Sequence, residues 1–425
     1  TSSNNTGGGV TLSATSPVTF AVDLTASGNI LVQAIESAAT DFDNITVNAA
    51  VTVESTGGNI TFEAGDRINV NATASVKADT NGSQNITLDS GLGDIDSDGL
   101  MTLDGSILAG STSGLITLDL NAQQGAIQAG TGTLSGFGLQ LFSTGSAGSF
   151  DLDNTTTNDI DTLAAETAGS IAYADTSALN VATAGATTGI TTSSDDVTLC
   201  ATSITLAASV AAGTGTLRLR STTGAVNQTS GSVTAATLGI DAANGTNLST
   251  ATNDVDTFAA DGGTGSVIFV DADGYTIGNV AANGCFTATV TGVTTGGGFE
   301  TCVAAGDLNI TAALSVTGTT RLEATAGNVT QTAAGVITTD SLSVRASGNI
   351  DLDQGTNNVN IFVAESTTAG NIDLNETDGL TISSVTAGTC VIAVTGINAA
   401  DGAVSVTSGG AIAANSVVSS TDNDS

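Results

Sequence analysis

The chain has 425 residues with 53 glycines, one proline (Pro17), no histidine and no tryptophan, and its six basic residues face 41 acidic ones for a formal net charge of -35. Nucleic acid and anionic membrane surfaces need a basic partner, so this balance argues against both. No apolar run approaches the roughly 18 residues of a membrane span, and membrane insertion is not expected.

A hydrophobic fraction of 40% is enough to fill a core. With 3% aromatics that core is built mainly from Val, Ile, Leu and Ala, which suits a narrow interior of β-branched residues. The stretch 1–137 already reads as short strands. In NITFEAG (59–65), Ile60, Phe62 and Ala64 face one way and Thr61 and Glu63 the other. NITLDSG (85–91) and LITLDLN (115–121) repeat the phrase further along. Period-two runs bounded by Gly, Asn, Asp and Ser are the strand signature, and repeats so closely spaced fit rungs of a solenoid.

Between these phrases, DIDSDG (94–99) sets Asp94, Asp96 and Asp98 at alternate positions ahead of Gly99, as a calcium loop opens. An EF-hand would need a bidentate Glu at position twelve, where Gly105 stands. A solvated acidic strand edge and a weak calcium site are both open readings. DADG (271–274), with Asp271 and Asp273, and ETDG (376–379) pose the same question, and calcium is the only cofactor the sequence suggests.

From position 138 a larger module recurs at about 95 to 105 residues. NDIDTLAA (158–165), NDVDTFAA (253–260) and NNVNIFVA (357–364) head GSIAYADTSALNV (169–181), GSVIFVDADGYTI (265–277) and GNIDLNETDGLTI (370–382). Downstream stand TTGITT (187–192), VTGVTT (290–295) and VTGINA (394–399), and GAVNQT (224–229) and GNVTQT (327–332) close two copies. The expected organisation is diverged rungs over 1–137, then modules at 138–231, 232–335 and 336–425, the last incomplete, all in one continuous solenoid. Across copies the apolar positions Ile160/Val255/Val359, Leu163/Phe258/Phe362 and Tyr173/Phe269/Leu374 stay apolar, whereas Asp159 and Asp161 become Asn358 and Asn360. The phrase therefore preserves a shape rather than a pair of carboxylates.

Two all-β architectures repeat at this length: a string of immunoglobulin-like sandwiches and a parallel β-helix. Sandwich strings carry linker prolines and a large aromatic per domain. One proline, no tryptophan and the short sub-repeats favour the β-solenoid.

GGNITFEAGDRINVNATASV (57–76), GSVIFVDADGYTIGNV (265–280) and GNVTQTAAG (327–335) resemble the repeats of filamentous-haemagglutinin-like exoproteins, large β-strand-repeat surface proteins of bacteria. The resemblance implies a right-handed parallel β-helix, export to the cell surface and a role as adhesin stalk or fibre. The secretion domain of that group, with its NPNG-like motif, is absent from a sequence whose only proline lies in SPVTF (16–20).

Cys285 and Cys302 are close to one rung of about 20 residues apart, and one rung step lies within the Cα separation that a disulfide allows. A Cys285–Cys302 bond is expected, in keeping with an oxidising extracellular setting. In CFTATV (285–290), Phe286, Ala288 and Val290 should point inward; Cys390 reads as a small core residue and Cys200 as unpartnered. Without histidine, Ser-His-Asp and Cys-His catalysis are impossible. Two-carboxylate glycoside hydrolysis would want aromatic platforms, and the only tyrosines, Tyr173 and Tyr275, align with core positions, so no catalytic residues and no enzymatic activity are expected. Sequons such as Asn44, Asn59, Asn85, Asn309 and Asn375 are abundant in so Asn- and Thr-rich a chain.

The expectation is an extracellular or cell-surface structural protein, a stalk, fibre or filament formed by head-to-tail stacking of copies of itself. The second reading is an adhesin segment of a longer exoprotein that binds carbohydrate or another surface. An ice-binding Thr array is a remote third, since the TxT pairs are irregular.

Overall fold

The computed structural model describes residues 4–5, 8–37, 42–93, 98–121, 124–143, 148–153 and 157–421, without the side chains of 4, 5, 251, 252 and 355. Every regular element among the described residues is a β-strand. The chain divides into two compact units, residues 1–215 and 216–425. Each is a β-solenoid of stacked parallel coils, not a string of sandwiches.

In the first unit a coil contributes three short strands, such as Ile60–Ala64, Ile68–Val70 and Ser75–Lys77. Each pairs in parallel with its successor one coil on: Ile86–Ser90, Met101–Leu103 and Ser106–Leu108. Three columns result. Ile30, Ile60, Ile86, Ile116 and Leu139 are consecutive partners in one of them, so coil length varies along the stack. The repeated phrases at 59, 85 and 115 are thus one coil apart, on rungs longer than the sequence reading expects. In the second unit Ile240, Ala260, Val293 and Leu314 are successive partners, and the coil from Ala260 to Val293 is much longer than those around it.

The alternation of the sequence becomes the inside and outside of the coil. Ile60, Phe62, Ala64, Ile86, Leu88, Ile116, Leu118 and Leu120 are fully buried, while Thr61, Glu63, Thr87, Asp89, Thr117 and Asp119 stand half-exposed on the other face. Each large aliphatic side chain so buried contributes about 1.5–3 kcal/mol. Tyr173 and Tyr275 are in the core as expected. The Tyr173 hydroxyl donates to Asp175 Oδ2 at 2.6 Å, and that of Tyr275 meets Thr301 Oγ1 at 2.7 Å. Phe258 stacks on Phe269 with ring centroids 4.5 Å apart, and Tyr275 sits edge-on to both.

The head of the recurring phrase is its interior. Asn158, Asn253 and Asn357 are wholly buried, whereas the acids after them, Asp159, Asp161, Asp254 and Asp256, are exposed. Asn253 Oδ1 accepts from Gln228 Nε2 (2.8 Å) and from the Val233 N–H (2.9 Å). Its Nδ2 donates to Gln228 Oε1 (3.1 Å), Leu248 O (3.0 Å) and Val270 O (3.2 Å). Asn158 pairs likewise with Gln128 and caps Leu134, and Asn357 pairs with Gln331 and caps Ile337. A carboxylate completes each corner: Ile160, Val255 and Val359 donate their N–H to Asp175, Asp271 and Glu376. A buried amide is tolerated only when its donors and acceptors are met, and here they are.

A second set of asparagines climbs the outside. Asn29, Asn59 and Asn85 each accept, through Oδ1, the backbone N–H of the residue one coil on: Asn59, Asn85 and Leu115. In the second unit Asn328, Asn349 and Asn371 cap Asn349, Asn371 and Ala403 in the same way. The sequon residues Asn59 and Asn85 thus act as rungs of this ladder.

Replacing Asn253 by Ala takes from Gln228 Oε1 and from the Val233 N–H the partner that Asn253 supplies in the core, and should lower unfolding free energy by on the order of 3 kcal/mol in denaturant melts. Asp254→Asn with Asp256→Asn should stay within about 0.5 kcal/mol of the parent. Equal costs for the two variants would refute this assignment.

Candidate functional site: hairpin arms on the coils

Among the described residues each module carries one excursion from its coils, a two-stranded antiparallel hairpin: 183–188, 279–291 and 384–395. The longer two lie in the coils from Ala260 to Val293 and from Ala364 to Ile397. Hairpin-free neighbours, such as Ile240 to Ala260, Val293 to Leu314 and Ile397 to Val418, are far shorter. A glycine closes every hairpin. Gly189, Gly292 and Gly396 have φ of 74°, 63° and 75°, and a Cβ there would strike the carbonyl oxygens of Ser209, Ala313 and Val417 on the next coil. Their N–H groups bond back to Ala182, Gly278 and Ser383, where the hairpins leave. Only glycine takes that conformation with a neighbouring backbone so close. This accounts for the recurrence of TTG and VTG in the sequence.

The longer hairpins lie on the outside of their coils over apolar contacts. Val280, Phe286 and Val290 pack on Ala259, and Val385 and Val394 pack on Val363 with Ile361 beside them. Arginines fasten them. Arg218 Nε donates to Ala281 O and Arg220 Nη1 to Cys285 O, both at 2.9 Å, while Arg321 donates to Thr386 O (2.9 Å) and Thr386 Oγ1 (3.3 Å). The nearly buried Glu300 receives the Cys390 N–H at 2.5 Å and the Val391 N–H at 3.0 Å.

The cysteines correct the expectation. Cys302 is bonded to Cys390, not to Cys285, with Cα atoms 6.1 Å apart. Cys200, expected to be unpartnered, is oxidised too, and no cysteine is free. The error lay in treating 285–290 as a rung strand. That stretch is the far side of a hairpin, so Cys285 is not one coil step from Cys302, and Ala288 is exposed rather than inward. Cys390 is half-buried in a hairpin, not a core residue. Full oxidation fits an oxidising environment.

Of the calcium candidates, Asp94 and Asp96 lie outside the described residues. Asp98 is ion-paired to Arg67, whose Nε donates to Asp98 Oδ1 at 2.6 Å, and Gln124 Nε2 reaches the same oxygen at 3.2 Å. Asp271 is buried and takes three backbone N–H groups, from Val255, Asp273 and Gly274, while Asp273 is exposed. Among the described residues the one close trio of Cys and acidic ligand atoms is Glu300, Cys302 and Cys390, whose sulfurs are joined to each other.

All six cations are engaged within the protein. Besides the arginines on the hairpins, Arg67 pairs with Asp98, Lys77 with Glu54, Arg220 with Asp241, and Arg345 with Glu323 and Glu365. The register places other acids against each other: Glu63, Asp89 and Asp119 are consecutive partners on one face. Burial pushes the Asp89 carboxyl up to about 7, and the charges of Asp119 and Glu63 add to the rise. Burial likewise raises Asp271 to about 6.

Grooves open beside two of the hairpins. One of about 230 Å³ in the first unit is lined by Asn85, Ser113, Leu115, Phe137, Gly138, Thr183, Ala184 and Gly185. The other, about 220 Å³ in the second, runs along Thr289, Val290 and Thr291 with Asp241 and Asp261. The sequence did not single out either groove; the only hint was an aromatic, Phe137, at a place where its strand's alternation breaks.

No family model matches the chain, and no curated protein or solved structure matches it. The likeness to filamentous-haemagglutinin-like repeats therefore stands at the level of β-solenoid architecture.

Non-reducing peptide mapping should recover a Cys302–Cys390 peptide pair. The double variant Cys302→Ser, Cys390→Ser should lose about 2–4 kcal/mol of stability, with the 384–395 amides first to exchange. Raised carboxyl pKa values set a pH dependence as well. The folded state holds protons that the unfolded chain releases near 3.8, so this stabilisation is complete below that value and fades as pH climbs through 6 to 7. The melting temperature should fall from about pH 5 to about pH 8, and Asp89→Asn should remove part of the fall. A melt that rises over that range would contradict the placement of these acids.

Proposed function

We propose that the protein is a non-catalytic structural element of an extracellular surface, a stalk or fibre in which copies stack head to tail. The observation that carries this reading is the parallel pairing of coil on coil, through Ile30, Ile60, Ile86 and Ile116 in the first unit and Ile240, Ala260, Val293 and Leu314 in the second. The backbone groups and apolar side chains of a coil paired in this way are a template for another coil. A second copy that supplied it would make a heterologous contact, which propagates without closing. The internal engagement of every cation adds support, since it leaves the outer surface acidic. Negative-stain microscopy of native material should show filaments, and dissociated filaments should give the intact mass of the 425-residue chain. A far larger chain, or dispersed monomers only, would overturn stacking.

A second reading, an adhesin segment of a longer exoprotein, is favoured by the hairpin arms. Hairpins that wall outward-facing grooves are superfluous to a purely structural rod. Saturable binding on a glycan array or to cells is the result that would establish it.

A further inference from the structure

We infer that the groove beside the 183–188 hairpin binds one residue of a neutral saccharide, an inference that rests on the adhesin reading and names its ligand class. The groove has an apolar floor and an uncharged polar rim. Phe137 is 40% exposed there, in a protein whose other aromatic side chains are mostly in the core, and Leu115 lies beside it. Gly138 keeps the floor open: a Cβ at that position would come within 3.1 Å of Leu115 Cδ1 and 3.7 Å of Ala184. The hairpin wall is held up from below, with Gln140 Nε2 donating to Thr187 Oγ1 at 2.8 Å and Thr183 and Thr188 hydroxyls joined at 2.9 Å.

The rim supplies hydrogen-bonding groups that the protein leaves unused. Asn85 Oδ1 accepts the Leu115 N–H at 2.9 Å, which fixes the amide so that Nδ2 is held as a donor with no partner among the described residues. The exposed Ser113 hydroxyl likewise has no partner among them. An exposed ring beside fixed, unpaired donors matches a pyranose, which presents C–H groups on one face and hydroxyls at its edge. Charge narrows the class. The lining holds no carboxylate to attract a cation, and a chain of net charge -35 whose cations are all engaged has none to offer an acidic sugar. A neutral sugar is the ligand that remains.

The test is a glycan array probed with the intact chain and with Phe137→Ala, followed by saturation-transfer NMR with lactose, maltose and N,N′-diacetylchitobiose, and 3′-sialyllactose as the anionic comparison. Phe137→Ala removes an exposed ring, and Ser113→Ala, at an exposed hydroxyl, serves as a second variant should the first fold poorly. Neutral glycans should bind, with saturation strongest on ring C–H protons, and Phe137→Ala should weaken them about tenfold while the β-sheet circular dichroism stays unchanged. Binding that neither variant alters, or sialyllactose bound as well as lactose, would overturn this groove while leaving the adhesin reading in place. Silence across all neutral glycans would overturn both, without touching the fibre.

Discussion

Each coil gives its backbone N–H and C=O groups to the coils on either side of it, and the in-register parallel pairing that results governs the rest of the structure. Because register is fixed residue for residue, whatever occupies one position stacks on its counterpart in the next coil. Inward, that produces columns such as Ile60, Ile86 and Ile116. Outward, it produces ladders whose character depends on what is stacked. Glu323, Arg345 and Glu365 form a compensated one, with Arg345 Nη1 2.5 Å from Glu323 and Nε 3.0 Å from Glu365. Glu63, Asp89 and Asp119 form an uncompensated one whose central carboxyl is driven toward neutrality. A slip of one residue would turn the acids inward and the aliphatics outward, so the core itself enforces the register.

Aliphatic columns alone are a weak guard against longer slips, since one Val or Ile resembles another. The buried Asn–Gln corners discriminate better. Asn158, Asn253 and Asn357 each need a glutamine one coil back and a carboxylate one coil on, and a shift by a whole coil would strand all of these polar groups in an apolar interior. One such corner per module acts as a key for the whole module.

The alternating strands were readable from the sequence because period two is a local signal, and the NIT phrases gave their pairing because they are spelled alike. The apolar set compared across copies, from Ile160 to Leu374, is the buried set. What escaped was non-local or disguised. The stretch CFTATV alternates like a rung strand, yet it belongs to a hairpin, and the Cys302–Cys390 bond could not be found while the coil step was taken as uniform. The corner asparagines escaped because a polar residue beside aspartates reads as surface. Their signal was present in Gln228 and Gln331, which lie in NQT and TQT about one coil before Asn253 and Asn357.

The glycines that end the hairpins carry a consequence for how such a chain can diversify. Each returns the backbone to the same place in the coil, whether the detour before it was the short 183–188 or the long 279–291 and 384–395. Length and content of the arm are thereby uncoupled from the register of the scaffold. The three arms have drifted apart, AGA in one copy, AANGCFTAT and TAGTCVIA in the others, while the coils on both sides keep their phrases. The joint behaves as a grafting site: a foreign loop inserted at the turn of the short 183–188 arm, ahead of Gly189, would leave the register of the coils unchanged.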